Sequence, residues 1–143
     1  MNKKKLWIWN ILAVLAVIFS IMAFAAHSKN WISKDSTDMK ILSGIYFKRL
    51  KYSELDSIKF VERIPPMERL NGFSAMEMGK GVYKEFKDSL TDKKAYVFVD
   101  NFSSQKIAVT YQDSLKLYLN FKDSLETEAM YKFLTERISD AVK

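Results

Sequence analysis

The sequence predicts a mainly β domain, a small bent antiparallel sheet or barrel, tethered by one membrane-spanning helix. Three observations carry this. An uncharged apolar run fills Leu6 to Ala26. About seven short segments rich in β-branched and aromatic residues follow it. An apolar stripe at helical spacing then closes the chain.

The apolar run holds only Asn10, Ser20 and two indoles as polar groups. As a helix it spans about 30 Å, the thickness of a bilayer hydrocarbon core. A helix satisfies its own backbone hydrogen bonds inside lipid. Trp7 and Trp9 sit at one end and Trp31 lies just past the other, where amphipathic rings favour the headgroup region. Lys3, Lys4 and Lys5 precede the run. Lys29 and Lys34 follow it, diluted by Asp35 and Asp38. The positive-inside rule therefore expects a single-pass protein with its N-terminus cytoplasmic and its β domain on the non-cytoplasmic side. Ala23-Phe24-Ala25 also fits the small-x-small pattern of a cleaved signal peptide. The run is longer than a usual signal h-region, which favours retention as a signal anchor.

The expected organisation is a basic flank at 1–5, a transmembrane helix at 6–26, a polar juxtamembrane connector at 27–40 and one domain at 41–143. About 115 residues remain after the anchor, enough for one compact core and not two. The chain has 143 residues and no Cys, so disulfides, thiolate nucleophiles, Cys-based metal sites and lipoprotein anchoring are excluded. The formal net charge of +6 overstates the basicity of the domain. Without Lys3, Lys4 and Lys5 it holds 20 basic and 17 acidic residues, or +3. That is a mixed, solvated surface and no nucleic-acid footprint.

The segment 41–51 reads as two short strands or one bent strand, broken at Gly44. Residues 57–62 alternate as a strand, with Ile58 and Phe60 on one face. Pro65-Pro66 stops it. A loop is expected from Met67 to Lys80, with Asn71-Gly72 as its reversal. Gly79-Lys80-Gly81 opens the strand at 82–86. Residues 95–100, 106–111 and 115–120 read as strands with short connections, the spacing of an antiparallel meander. Asp-Ser-Leu recurs at 88, 113 and 123 with no fixed period, as turn and helix-start chemistry. Asp123 is placed to cap the last helix, with Glu126 three residues on. Leu125, Ala129/Met130, Phe133/Leu134, Ile138 and Ala141 form its expected inward stripe.

Several stretches resemble a known family. They are Leu42-Ser43-Gly44-Ile45-Tyr46, the run from Leu50 to Ile58, Arg69-Leu70-Asn71-Gly72-Phe73, and Lys80-Gly81-Val82-Tyr83. From Ile41 to about Val142 the chain is similar to the bacterial pleckstrin-homology-like (bacterial PH) domains, in the membrane-anchored branch. The resemblance implies a strongly bent seven-stranded antiparallel sheet with one C-terminal capping helix. It implies a binding or assembly module and no enzyme. Ser74-Ala75-Met76-Glu77-Met78 departs from the family pattern.

Catalytic constellations are not found in the sequence. His27 is the only histidine and lies where the helix leaves the membrane. Glu54/Asp56 and Glu126/Glu128 read as turn and helix-surface carboxylates and not as an acid–base pair. No cofactor or metal is implied. Two groups are candidate ligand or partner contacts. The first is basic: Lys48, Arg49, Lys51, Arg69 and Lys80, with Arg63 and Lys84 nearby. The second is apolar: Phe73 and Met76, with Met67 and Met78. The expected function is a non-enzymatic interaction or assembly module of the cell envelope. Its partners are the bilayer, through Leu6 to Ala26, and an envelope protein or a second copy of the chain. The alternative is a module for anionic lipid or cell-wall polyanion.

Overall fold

The computed structural model describes residues 2–75, 77–85 and 94–142. Helix α1 runs Lys3–Ser28. Its Lys3–Ala25 part is long and apolar enough to span a membrane: an 18-residue stretch within it has a mean hydropathy of 2.4, and none of that stretch is buried against the rest of the chain. Ser20 donates its hydroxyl to the Ala16 carbonyl at 2.8 Å, so this polar group is satisfied within the helix.

Nine strands follow among the described residues, in two sheets. β1 (Asn30–Lys34), β2 (Asp38–Ser43) and β3 (Tyr46–Lys51) form an antiparallel three-stranded sheet in that order. Gly44, at φ +62°, makes the turn between β2 and β3. A single turn at Tyr52–Glu54 leads into the second sheet. That sheet holds β4 (Leu55–Val61), β5 (Met67–Ala75), β6 (Met78–Glu85), β7 (Lys94–Val99), β8 (Lys106–Tyr111) and β9 (Leu115–Leu119). Its order is β4-β8-β9-β7-β6-β5. Helix α2 (Ser124–Val142) lies across β4, the Tyr52 turn and β8.

Strand alternation sets the core. Met39, Ile41 and Leu50 of the small sheet face Phe98, Ile107, Val109, Leu117 and Leu119 of the large one. Met130 and Leu134 of α2 close the same core. Val97, Val99 and Tyr118 point to the other face of the large sheet, where Ile64 and Met67 cover them. β4 and β5 are the two edges of that sheet, five spacings or about 24 Å apart if it were flat. The connection between them, residues 62–66, reaches only about 20 Å fully extended. The sheet must therefore curl. Lys106 pins this crossing, donating its buried ammonium to the Glu62 carbonyl at 2.6 Å and to the Phe102 carbonyl.

Five expectations are corrected. The polar connector at 27–40 is absent, because α1 continues to Ser28 and β1 starts at Asn30. Seven strands in one antiparallel sheet become nine in two. β7, β8 and β9 are not a meander: β9 lies between the other two and pairs with β7 in parallel. The expected loop from Met67 to Lys80 is mostly the β5–β6 hairpin, and Asn71-Gly72 lies inside β5 opposite Val82 and Gly81. The helix stripe is corrected at its start: Leu125 is 72% exposed and Ala129 is exposed, with Thr127 buried instead, while Met130, Phe133, Leu134 and Ile138 lie in or against the core as expected. Asp123 still caps α2, accepting the Leu125 N–H at 2.9 Å. Thr127 is buried because its hydroxyl accepts the Phe121 N–H at 3.0 Å, at the entry to the helix.

Candidate functional site

The sequence-predicted contacts do not converge. Lys48 points inward, its ammonium 4.9 Å from the rings of both Tyr96 and Tyr111. Burial holds it below its ordinary lysine value, with Glu54 opposing. Arg49 is bound to buried Asp38 by an ion pair on the outer face of the small sheet. Lys51 is exposed on that face. Arg69 is exposed on β5, opposite Tyr83. Phe73 is half-buried. Met76 lies outside the described residues. Lys80 is fully buried with Asp100. Met67 packs on the Val97 cluster, a core role. Glu54 and Asp56 brace the β8–β9 turn: Gln112 donates its amide to Glu54 Oε2 at 2.9 Å, and the Asp113 N–H donates to Asp56 Oδ2 at 2.6 Å. His27 falls in the last turn of α1.

What the fold does bring together is a buried polar cluster where α1 enters the domain. A single extended residue, Lys29, separates α1 from β1. Asn30 is then only 4% exposed. Its N–H donates to Asp100 Oδ2 at 3.0 Å. Its side-chain amide donates to the Phe98 and Asn120 carbonyls at 2.7 and 2.8 Å. Its side-chain oxygen accepts from the Ser43 hydroxyl. Asn120 extends the cluster. Its side-chain oxygen accepts the Asp100 and Asn101 N–H groups at 2.8 and 3.1 Å, and its amide donates to the Asn101 carbonyl at 2.6 Å. A buried polar group without partners costs about 1–3 kcal/mol. The N–H and both side-chain polar atoms of Asn30 are satisfied, by partners on β2, at the end of β7 and just past β9.

Lys80 reaches this cluster from β6. Its ammonium lies 3.2 Å from Asp100 Oδ1, and both side chains are fully buried. Neither atom has a further hydrogen-bond partner among the described residues. Burial pushes the Lys80 ammonium below its ordinary value, while Asp100 pulls it back up. An open groove of about 540 Å³, lined by Glu77, Met78, Asp100, Asn101 and Lys122, lies alongside. No group of three or more His, Asp or Glu side chains converges among the described residues.

Asn30, Ser43, Asp100 and Asn120 carry no signal in the sequence. Asn30 reads as part of the polar connector, Ser43 as part of the 41–51 strand segment and Asp100 and Asn120 as strand ends, and nothing in their spacing joins them. Comparison with family models, curated proteins and solved structures gives no match to the chain.

Proposed function

We propose that this chain is a single-pass membrane protein whose β domain acts, without catalysis, as an interaction or assembly module held in a fixed pose at the bilayer surface. The observation carrying this reading is the α1–β1 junction. One residue links the span to a strand whose first side chain is anchored in the core. A chain meant only to tether a domain has no need of such a joint, and a flexible connector serves that purpose. The N-terminal lysines favour a cytoplasmic N-terminus and a domain on the far side. A curled sheet crossed by a C-terminal helix supports the pleckstrin-homology-like assignment, while the parallel β7–β9 pair departs from that family's antiparallel sheet. The polyanion-binding alternative has less support, since Lys48, Arg49 and Lys80 are turned inward or already paired.

The test is photo-crosslinking from domain positions in native membranes, with and without a ten-residue Gly-Ser insertion after Lys29. Discrete protein adducts that vanish on insertion are expected. Adducts unchanged by the insertion would overturn the fixed-pose reading. A domain that gives no protein adduct from any face would overturn the interaction role.

A further inference from the structure

The outer face of the three-stranded sheet is graded along its strands. The row nearest the membrane helix is Asn30↔Ser43↔Tyr46, and the next is Trp31↔Leu42↔Phe47. In this second row all three side chains point outward, with exposures of 43%, 39% and 59%. Ile45, at the turn joining β2 to β3, is 73% exposed. Leu70, another exposed apolar residue, sits at the β5 bulge next to Asn71, which accepts the Tyr46 hydroxyl at 2.8 Å. All of these lie at the end of the sheet where α1 enters. The row between, Ile32↔Ile41↔Lys48, faces the core, and the next outward row is polar: Ser33↔Lys40↔Arg49. A soluble surface has no reason to gather its apolar residues in one cross-strand row and its charges in the next.

The position of Trp31 identifies the occupant. Its indole N–H donates to the Ala25 carbonyl at 3.2 Å. Ala25 is the last residue of the apolar span. The ring therefore lies level with the end of that span, with the Lys29 ammonium 4.1 Å from its centroid. An indole and a lysine at this depth fit the headgroup boundary. Leu42 and Phe47 continue from Trp31 sideways across the sheet, with cross-strand neighbours about 5 Å apart.

We infer that the Trp31–Leu42–Phe47 row, with Ile45 at the adjoining turn, docks on the lipid interface of the bilayer that α1 spans. This rests on the reading of α1 as a membrane span. The docking is apolar in character, because Lys40 is paired with Asp35 and Arg49 with Asp38. It needs no anionic lipid and resists salt, which screens charge and leaves apolar burial in place. Only the end of the sheet that α1 enters meets the membrane, and the Ser33–Lys40–Arg49 row stands off it in water.

The test uses the full-length chain in neutral phosphatidylcholine vesicles. The chain has no Cys, so Ile45→Cys, Phe47→Cys and Lys59→Cys each give one site for an environment-sensitive fluorophore. Retention after a carbonate wash is measured on each labelled sample. The expected result is a blue-shifted emission and slow quenching by an aqueous reductant at 45 and 47, unchanged in high salt. The label at 59, on β4, should stay water-exposed. A water-exposed label at 47 on a carbonate-resistant chain would overturn the docking and leave the anchor standing. Loss of protection in high salt would overturn its apolar character. Self-quenching between labels at 47 that disappears on dilution into excess lipid would mean that a second copy covers the row. Extraction of the chain by carbonate would overturn the anchor reading, and the docking with it.

Discussion

At the scale of residues, the buried polar cluster is held by Asn30 and by the Lys80–Asp100 pair. Asn30→Ala removes the partners of the Asn120 carbonyl and the Ser43 hydroxyl and one of the two donors to the Phe98 carbonyl, which keeps the Asn120 N–H. With about 1–3 kcal/mol for each orphaned buried group, the loss should reach about 3 kcal/mol in denaturant unfolding of the full chain in micelles. An effect below about 1 kcal/mol would mean that the cluster is not closed. Lys80→Met leaves the Asp100 carboxylate buried without its cation and should cost about 3–5 kcal/mol. Adding Asp100→Asn should recover much of this, since Asn keeps an oxygen for the Asn30 N–H. Lys80 also sets a pH dependence. Unfolded, it titrates near 10.5, and folded, burial lowers that value. Between the two the unfolded chain holds more protons, so stability rises with pH up to about 10.5 and has no slope below the folded value. Lys48 and Lys106 shift the same way. Tyr111 opposes them: burial raises its phenol above the ordinary 10.0, so the unfolded chain ionises first and stability falls above that pH. Lys80→Met should flatten the rising limb in part and leave the falling limb, as read from unfolding midpoints across an alkaline pH series.

At the scale of elements, legibility followed periodicity. β8 is bounded by Lys106 and Tyr111, as its alternation predicts, and α2 begins behind Asp123, as its capping chemistry predicts. β1 was hidden because its one fully buried residue is Asn30, held by hydrogen bonds and not by hydrophobicity, with Ile32 the single apolar residue beside it on the core face. β5 was hidden because Asn71-Gly72 has the composition of a turn. Gly72 and Gly81 face each other across the hairpin at φ +153° and +156°. A Cβ on Gly72 would stand 2.5 Å from the Lys80 carbonyl oxygen. The glycines thus serve a close backbone approach inside a sheet. Gly72→Val should destabilise the chain by about 1–3 kcal/mol or more, from positive φ and overpacking together. Equal stability in thermal unfolding would contradict the pairing. α2 gives a second test. Leu134 is fully buried, so Leu134→Ala should cost about 2–5 kcal/mol. Phe133 is half-buried between Tyr52 and the cations of Lys34 and Arg137, so its truncation should cost less. The reverse ranking would mean that the helix docks through another face.

At the scale of the whole molecule, the sequence separates a span from a β domain but not the way they are joined. The apolar run shows itself because it is an unbroken uncharged stretch long enough to cross a bilayer. The joint does not, because a locked junction and a loose connector draw on the same polar residues. The candidate ligand contacts illustrate the same limit. Lys48 and Lys80 count as surface charge in composition, yet strand register turns one toward two tyrosine rings and the other into the core. Topology is equally silent in the sequence: the insertion of β9 between β7 and β8 depends on long-range pairing that no local pattern encodes. On the proposed function, the domain is fixed relative to α1. The most direct measurement is a spin-label distance between Phe19→Cys in α1 and Lys59→Cys in β4, on the full chain in bilayers. A single narrow distance distribution is predicted, broadened by Asn30→Ala and by a flexible insertion after Lys29. A broad distribution in the unaltered chain, indistinguishable from that of the insertion variant, would contradict it.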